Sequence, residues 1–195
     1  MFIDTHTHIY LEEFNIDRKE IIEECNALNI KKLLLPNIDS NTIEDLLNLA
    51  TDYKGFCLPM VGLHPCSVKN NYRKELKILK PYIEYCNPIA IGEIGIDLYW
   101  DKTALNIQKA AFIEQINWAK EYMLPVVIHA RNSYREIFEI LDSLNDKDLS
   151  GVFHCFSSDL KDANHILNYG KFKLGIGGVV TFKNAGLDKT LSEIP

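Results

Sequence analysis

Short apolar runs alternate along this chain with longer stretches in which apolar residues return every three or four positions. The runs beginning at Phe2, Lys32 to Pro36, Cys57 to Leu63, Ile89 to Glu93, Val126 to His129, Gly151 to His154 and Lys173 to Ile176 have strand length and composition. Between them, Ile21, Ile22, Cys25 and Leu28 follow the capping-box pattern Asp17-x-x-Glu20, and Leu46, Leu47, Leu49 and Ala50 follow Asn41-x-x-Glu44. Leu76, Leu79 and Ile83 predict a helix bent at Pro81. A long helix is expected over 104–122, with Leu105, Phe112, Ile116 and Ala119 inward. Ser133-x-x-Glu136 opens the next, and Asp159 precedes one carrying Ala163, Ile166 and Leu167.

Strict strand–helix alternation without hairpin turns predicts an α/β fold with a parallel sheet and helices outside it. An open doubly wound sheet gathers its ligand at one switch point. Here the chemically interesting residues end several strands, which favours a TIM-type (β/α)8 barrel with all of them at one mouth. Such a barrel takes about 250 residues, and only seven strands are readable in 195. The expectation is one hydrolase barrel domain over residues 1–195, truncated before its eighth strand, with no internal repeat or linker.

The candidate residues are His6 and His8 after the first strand, Glu93 after the fourth, His129 after the fifth and His154 after the sixth. On an extended strand Asp4, His6 and His8 share a face. Taken alone, the pair reads equally as metal ligands or as satisfied strand histidines. With Glu93, His129 and His154 added, imidazoles and a carboxylate converge in a set that suits zinc or a similar divalent ion. Five ligands exceed one tetrahedral site, so two ions with Glu93 between them is the economical arrangement. The alternative is that each histidine separately caps its own strand. Two such cations would lower the pKa of a water between them and neutralise charge on a phosphoryl oxygen.

Composition narrows the class. The chain is 47% hydrophobic and 25% charged, as a globular domain is, and its longest apolar runs fall far short of the roughly 20 residues of a membrane helix. Asp4, His6 and His8 interrupt any export signal. Five cysteines without close pairing suggest reduced thiols and a cytoplasmic setting, not a disulfide or zinc-finger framework. The net charge of −6 argues against a nucleic-acid coat protein, though not against phosphate binding through cations. Gly175-x-Gly177-Gly178 lacks dinucleotide spacing and no Gly-Lys-Ser/Thr loop occurs, so no nucleotide cofactor is expected.

Several motifs follow one another in a familiar order: Asp4-Thr5-His6-Thr7-His8, Gly62-Leu63-His64-Pro65, Gly92-Glu93-Ile94-Gly95-Ile96-Asp97, Pro125 through His129 to Arg131, His154-Cys155-Phe156 and Thr181-Phe182-Lys183. On these the chain resembles the TatD-like deoxyribonucleases, metal-dependent barrel hydrolases of the amidohydrolase kind. The resemblance implies two divalent ions, zinc, magnesium or manganese. It places His6 and His8 on one, His129 and His154 on the other, and Glu93 as the bridge. It further implies DNA as substrate and exonucleolytic cleavage. Family members carry a further strand ending in an Asp ligand; Asp188 lies on a polar stretch with no strand before it, and Ser158 stands where Gly is commoner. Hydrolysis of another ester or amide, and an inactive scaffold, are the rival readings.

Around the candidate ligands, His64 contacts a phosphate or a metal-bound water, or is a turn residue held by Pro65. Arg131 clamps a phosphate or forms a surface ion pair. Asp97 orients a ligand histidine or caps its loop, and Tyr99 and Trp100 stack on a base or cover the mouth. Lys183 reads as solvated, Asp4 as a hydrogen-bonding partner, His165 as an exposed helix residue, and Cys155 as packing.

Overall fold

Each apolar run forms a strand and each helical pattern a helix in the computed structural model, in which residues 1–194 are described. In order these are β1 (Phe2–Asp4), α1 (Arg18–Ala27), β2 (Ile30–Leu35), α2 (Ile43–Asp52), β3 (Cys57–Pro59), α3 (Tyr72–Leu79), α4 (Pro81–Cys86) and β4 (Ile91–Asp97). Then come α5 (Leu105–Tyr122), β5 (Val126–Arg131), α6 (Tyr134–Leu144), β6 (Gly151–His154), α7 (Leu160–Asn168), β7 (Phe172–Leu174) and α8 (Leu187–Ser192). All pairings are parallel, in the orders β1-β2-β3 and β4-β5-β6-β7, and the Val61–Ile91 bridge joins the two sheets. Among the described residues β1 pairs only with β2 and β7 only with β6, so this TIM-type α/β barrel is incomplete.

Alternation along the strands sorts side chains between two environments. Leu33, Leu35, Ile94, Ile96, Val126, Ile128 and Phe153 pack outward under the helices. Met60, Ala90 and Val127, with Leu34 and Val152, form an apolar plug between the sheets. His129 follows Val127 on the same face of β5, and His154 follows Val152 on β6. Register aligns Gly95 with His129 and His129 with His154, so Glu93, His129 and His154 come from neighbouring strands.

Several local expectations shift. His6 and His8 lie beyond β1, in an extended segment that Thr7 ties to β2 by donating to the Leu34 carbonyl at 3.1 Å. The Asp17 side chain makes no capping bond. The second helix starts at Ile43, because Asp39 Oδ1 accepts the Asn41 and Thr42 N–H groups at 2.9 and 3.2 Å and holds them in a turn. The bend at Pro81 is a break between α3 and α4. β3 is three residues long, and β4 runs from Ile91 through Asp97, so Glu93 sits inside the strand and not at its end. No helix among the described residues is long and apolar enough to cross a membrane.

Candidate metal centre

β4 is buried along its whole length, and alternation turns Glu93, Gly95 and Asp97 away from the outward Ile94 and Ile96. Glu93 is 2% exposed, yet its carboxylate meets imidazoles on both oxygens. His6 Nε2 lies 3.0 Å and His8 Nε2 3.7 Å from Oε2, whereas His129 Nδ1 lies 2.9 Å from Oε1. His64 Nε2 approaches Oε2 at 3.9 Å and His129 Nδ1 at 3.3 Å. Donor atoms of His6, His8 and Glu93 fall within 4.8 Å of one another, as do those of His64, Glu93 and His129. His154 joins through its ring, stacked on His6 at 3.3 Å between centroids, and belongs to neither donor group.

Partners behind the rings decide which nitrogen carries the proton. The Tyr10 hydroxyl donates its only proton to the Pro36 carbonyl at 2.7 Å, so at 3.1 Å it must accept from His8 Nδ1–H. A neutral His8 therefore turns an Nε2 lone pair inward, and only a protonated ring donates from Nε2 to Glu93. Asp97 Oδ2, 2.9 Å from His129 Nε2, accepts the Nε2 proton, so a neutral His129 turns an Nδ1 lone pair toward Glu93 and a protonated one donates from Nδ1 to it. His64 is arranged the other way: Nδ1 accepts the Cys66 N–H at 3.1 Å, so a neutral His64 carries its proton on Nε2 and points a donor into the cluster. His6 Nδ1 is buried without a hydrogen-bond partner.

The titration behaviour follows from these contacts. Burial alone would raise the Glu93 carboxyl, but hydrogen bonds from His129, His6 and His8 hold it well below the usual carboxylate range. Burial opposes protonation of His129, yet the Glu93 bond and charge, then those of Asp97, lift its pKa. Burial pushes His64 and His154 down to about 4, the His129 and His6 charges respectively adding to it. A buried anion ringed by imidazole nitrogens, with the outer sides of His8 and His129 occupied, is a donor set that fits divalent cations.

Other residues on the rim are placed as follows. Arg131 extends over the Tyr99 ring at 3.8 Å and makes no ion pair among the described residues, so the surface-pair alternative does not hold. Asp97 Oδ2 holds the His129 ring, and its Oδ1 caps the loop by accepting the Tyr99 and Trp100 N–H groups at 2.9 and 3.3 Å. Asp4 Oδ1 accepts the His6 backbone N–H at 3.0 Å. His165 pairs with Asp142 on the outer surface and Lys183 is exposed, whereas Cys155, expected to pack, is exposed because the turn after β6 leaves it outside the core.

Four supporting residues escape a pattern search. Tyr10 lies just past the histidine motif. Asn37 donates from Nδ2 to the Gly62 carbonyl at 2.8 Å, while its backbone exchanges bonds with Gly92 and Glu93. Gln115 Oε1 accepts the Leu63 N–H at 2.6 Å, and Gln108 Oε1 accepts the Asp97 N–H at 2.8 Å. Both glutamines project from the buried face of α5 and complete the strand edges that carry His64 and Asp97. Their signal was available: Gln108, Phe112, Gln115 and Ala119 share one helical stripe, and an amide on such a stripe needs a partner.

Fold and site together define a metal-dependent hydrolase built on a parallel barrel. Residues 3–195 match the family model of the TatD-related DNases, and the chain belongs to that family. It is 33% identical to the uncharacterized metal-dependent hydrolase YabD of Bacillus subtilis (strain 168), over all of this chain and 76% of that protein. It is 29% identical to the 3'-5' ssDNA/RNA exonuclease TatD of Cronobacter sakazakii, over 95% of this chain and 70% of the other. The crystal structure of YjjV, a TatD homologue of Escherichia coli K12, superposes with a TM-score of 0.91 at 27% identity, over all of this chain and 75% of that one.

Proposed function

We propose that this barrel domain is a deoxyribonuclease that hydrolyses phosphodiester bonds of DNA from an end, with two divalent cations. His6 and His8 would hold one and His129 the other, with Glu93 between them; the resemblance assigns His154 to the second, although its ring stacks on His6 and joins neither donor group. The observation that carries this reading is the division of the Glu93 carboxylate, with His6 and His8 on Oε2 and His129 on Oε1. When bound, the cations would supply a nucleophilic water at neutral pH and would offset charge on the phosphoryl oxygens. The chain's own groups do the rest. Tyr10 and Asp97 keep the lone pairs of His8 and His129 turned inward. His64, neutral because burial depresses its pKa to about 4, points Nε2–H where a phosphate oxygen would be met. Arg131 offers a guanidinium free of carboxylates at the rim. Met60, Ala90 and Val127 fill the space between the sheets with apolar side chains.

DNA as substrate is supported by the names of relatives such as the Cronobacter exonuclease. The test is cleavage of an end-labelled single strand by metal-loaded protein, beside a panel of small esters and amides, with metal stoichiometry measured on the same sample. Shortening from one end with two ions per chain is expected. Turnover of an ester or amide without cleavage of DNA would overturn the nuclease reading.

A further inference from the structure

Just beyond β4 the chain exposes two large aromatic rings side by side. Trp100 is 72% exposed and Tyr99 53%, whereas the preceding Leu98 is buried and anchors the loop. The rings meet edge to face, 4.9 Å apart at 89°, and the Arg131 guanidinium lies 3.8 Å over Tyr99 and 5.7 Å from Trp100. Neither Tyr99 Oη nor Trp100 Nε1 is hydrogen-bonded to protein among the described residues. We infer that Trp100, braced by Tyr99 and Arg131, forms a platform that grips one unpaired nucleotide of single-stranded DNA beside the Glu93 cluster, the indole face taking the base and the guanidinium, laid over Tyr99, the phosphate. This inference rests on the nuclease reading above.

Three features support it. The loop is tied at its base, because Asp97 Oδ1 accepts both the Tyr99 and the Trp100 N–H, and Leu98 N–H donates to the Arg131 carbonyl at 2.9 Å. Asp97 and Arg131 are register partners on β4 and β5, so ring and cation project from adjoining strand ends. The other oxygen of Asp97 contacts His129, which ties the platform to the cluster through a single carboxylate. The chemistry suits a nucleotide: every base offers a π-face to an aromatic ring, and an unpaired arginine complements a phosphate in a chain of net charge −6. A duplex keeps its bases stacked and denies the rings a face, so the platform selects an unpaired strand.

The experiment compares an intact single-stranded oligonucleotide with one lacking the base at a single position near its cleaved end. Wild-type enzyme should favour the intact strand by about tenfold or more in KM, the usual worth of one stacked base. Trp100→Ala should abolish that preference without lowering the melting temperature, and Arg131→Ala should raise KM on both strands. Tyr85→Ala, an exposed aromatic on α4, is the control and should retain the preference. A Trp100→Ala enzyme that still discriminates the two strands overturns the platform even where DNA is cleaved. A second measurement, with chelator present, follows the fluorescence of a 2-aminopurine-labelled strand on binding. Trp100-dependent quenching without cleavage in metal would support the platform and refute the nuclease reading, and absence of binding overturns the platform itself.

Discussion

Replacing Asp97 with Asn probes the most consequential hydrogen bond in the cluster. The buried carboxylate accepts His129 Nε2–H on one oxygen and two backbone N–H groups on the other. Asn preserves shape and one acceptor but puts an NH2 in place of the second oxygen. If the amide oxygen stays with Tyr99 and Trp100, the NH2 faces His129 Nε2, which must give up its proton to Nδ1. That proton then occupies the lone pair directed at Glu93, so His129 presents the wrong tautomer to a cation. If the amide flips, two backbone donors lose their acceptor. The lost charge-assisted bond is worth about 1.5–3 kcal/mol, and at about 2–4 °C per kcal/mol for a chain of this size the metal-free protein should melt roughly 3–12 °C lower. Metal affinity should fall about 10–100-fold, the usual effect of removing a partner behind a ligand imidazole. Calorimetric titration of manganese or zinc into metal-free protein reads the affinity, and 15N shifts of the His129 ring read the tautomer. Wild-type affinity in Asp97→Asn, with His129 still protonated on Nε2, would refute the reasoning.

Further outcomes are expected elsewhere in the cluster. Tyr10→Phe removes the acceptor of His8 Nδ1–H and leaves the Pro36 carbonyl unpaired; it should cost about 1–3 kcal/mol and weaken one of two metal-binding steps by about tenfold, checked by urea unfolding and metal titration. At Gly95, φ is +142° and an added Cβ would collide with the His129 carbonyl, so Gly95→Ala should cost about 3 kcal/mol or more in a thermal melt. Gly170→Ala, where φ is +82° but the space is open, is the comparison and should cost only about 1–2 kcal/mol. For the metal-free protein, His64 and His154 have folded pKa values of about 4 against an unfolded 6.5, so the unfolded chain binds more protons between those values. Acidification through pH 6.5 to 4 should therefore destabilise, by at most roughly 3 kcal/mol for each histidine. His129, whose folded pKa is raised, opposes this, its contribution being full below 6.5 and lost as pH rises through the folded value. A urea midpoint that rises on acidification in chelator would contradict the assignment.

The strand–helix order was legible because each element carries its own period. Val126 to Ile128 has the length and β-branched composition of a strand buried on both faces, and the Leu105 to Ala119 stripe that of a helix, which packs against the neighbouring β4. Boundaries were less legible where a side chain outside the repeat intervened. Asp39 holds Asn41 and Thr42 in a turn and so delays α2, and β4 runs on to Asp97 with the Gln108 amide closing its end. The partners of Asn37 and Gln115 were illegible for a related reason: each residue satisfies backbone groups distant in sequence, and the sequence shows only a polar group where an apolar one was expected.

By itself the sequence determined the parallel α/β plan and the types of residue at the strand ends, because periodicity and ligand chemistry are local properties. Tertiary structure alone decided how those residues face one another. It set Glu93 between His6 and His8 on one side and His129 on the other, and it stacked His154 on His6. It also distinguished His64 from its neighbours by a single bond from the Cys66 N–H. The nitrogen that bears a proton depends on what lies behind the ring, and for His8 and His129 that partner is fixed only when strand, loop and helix have packed together.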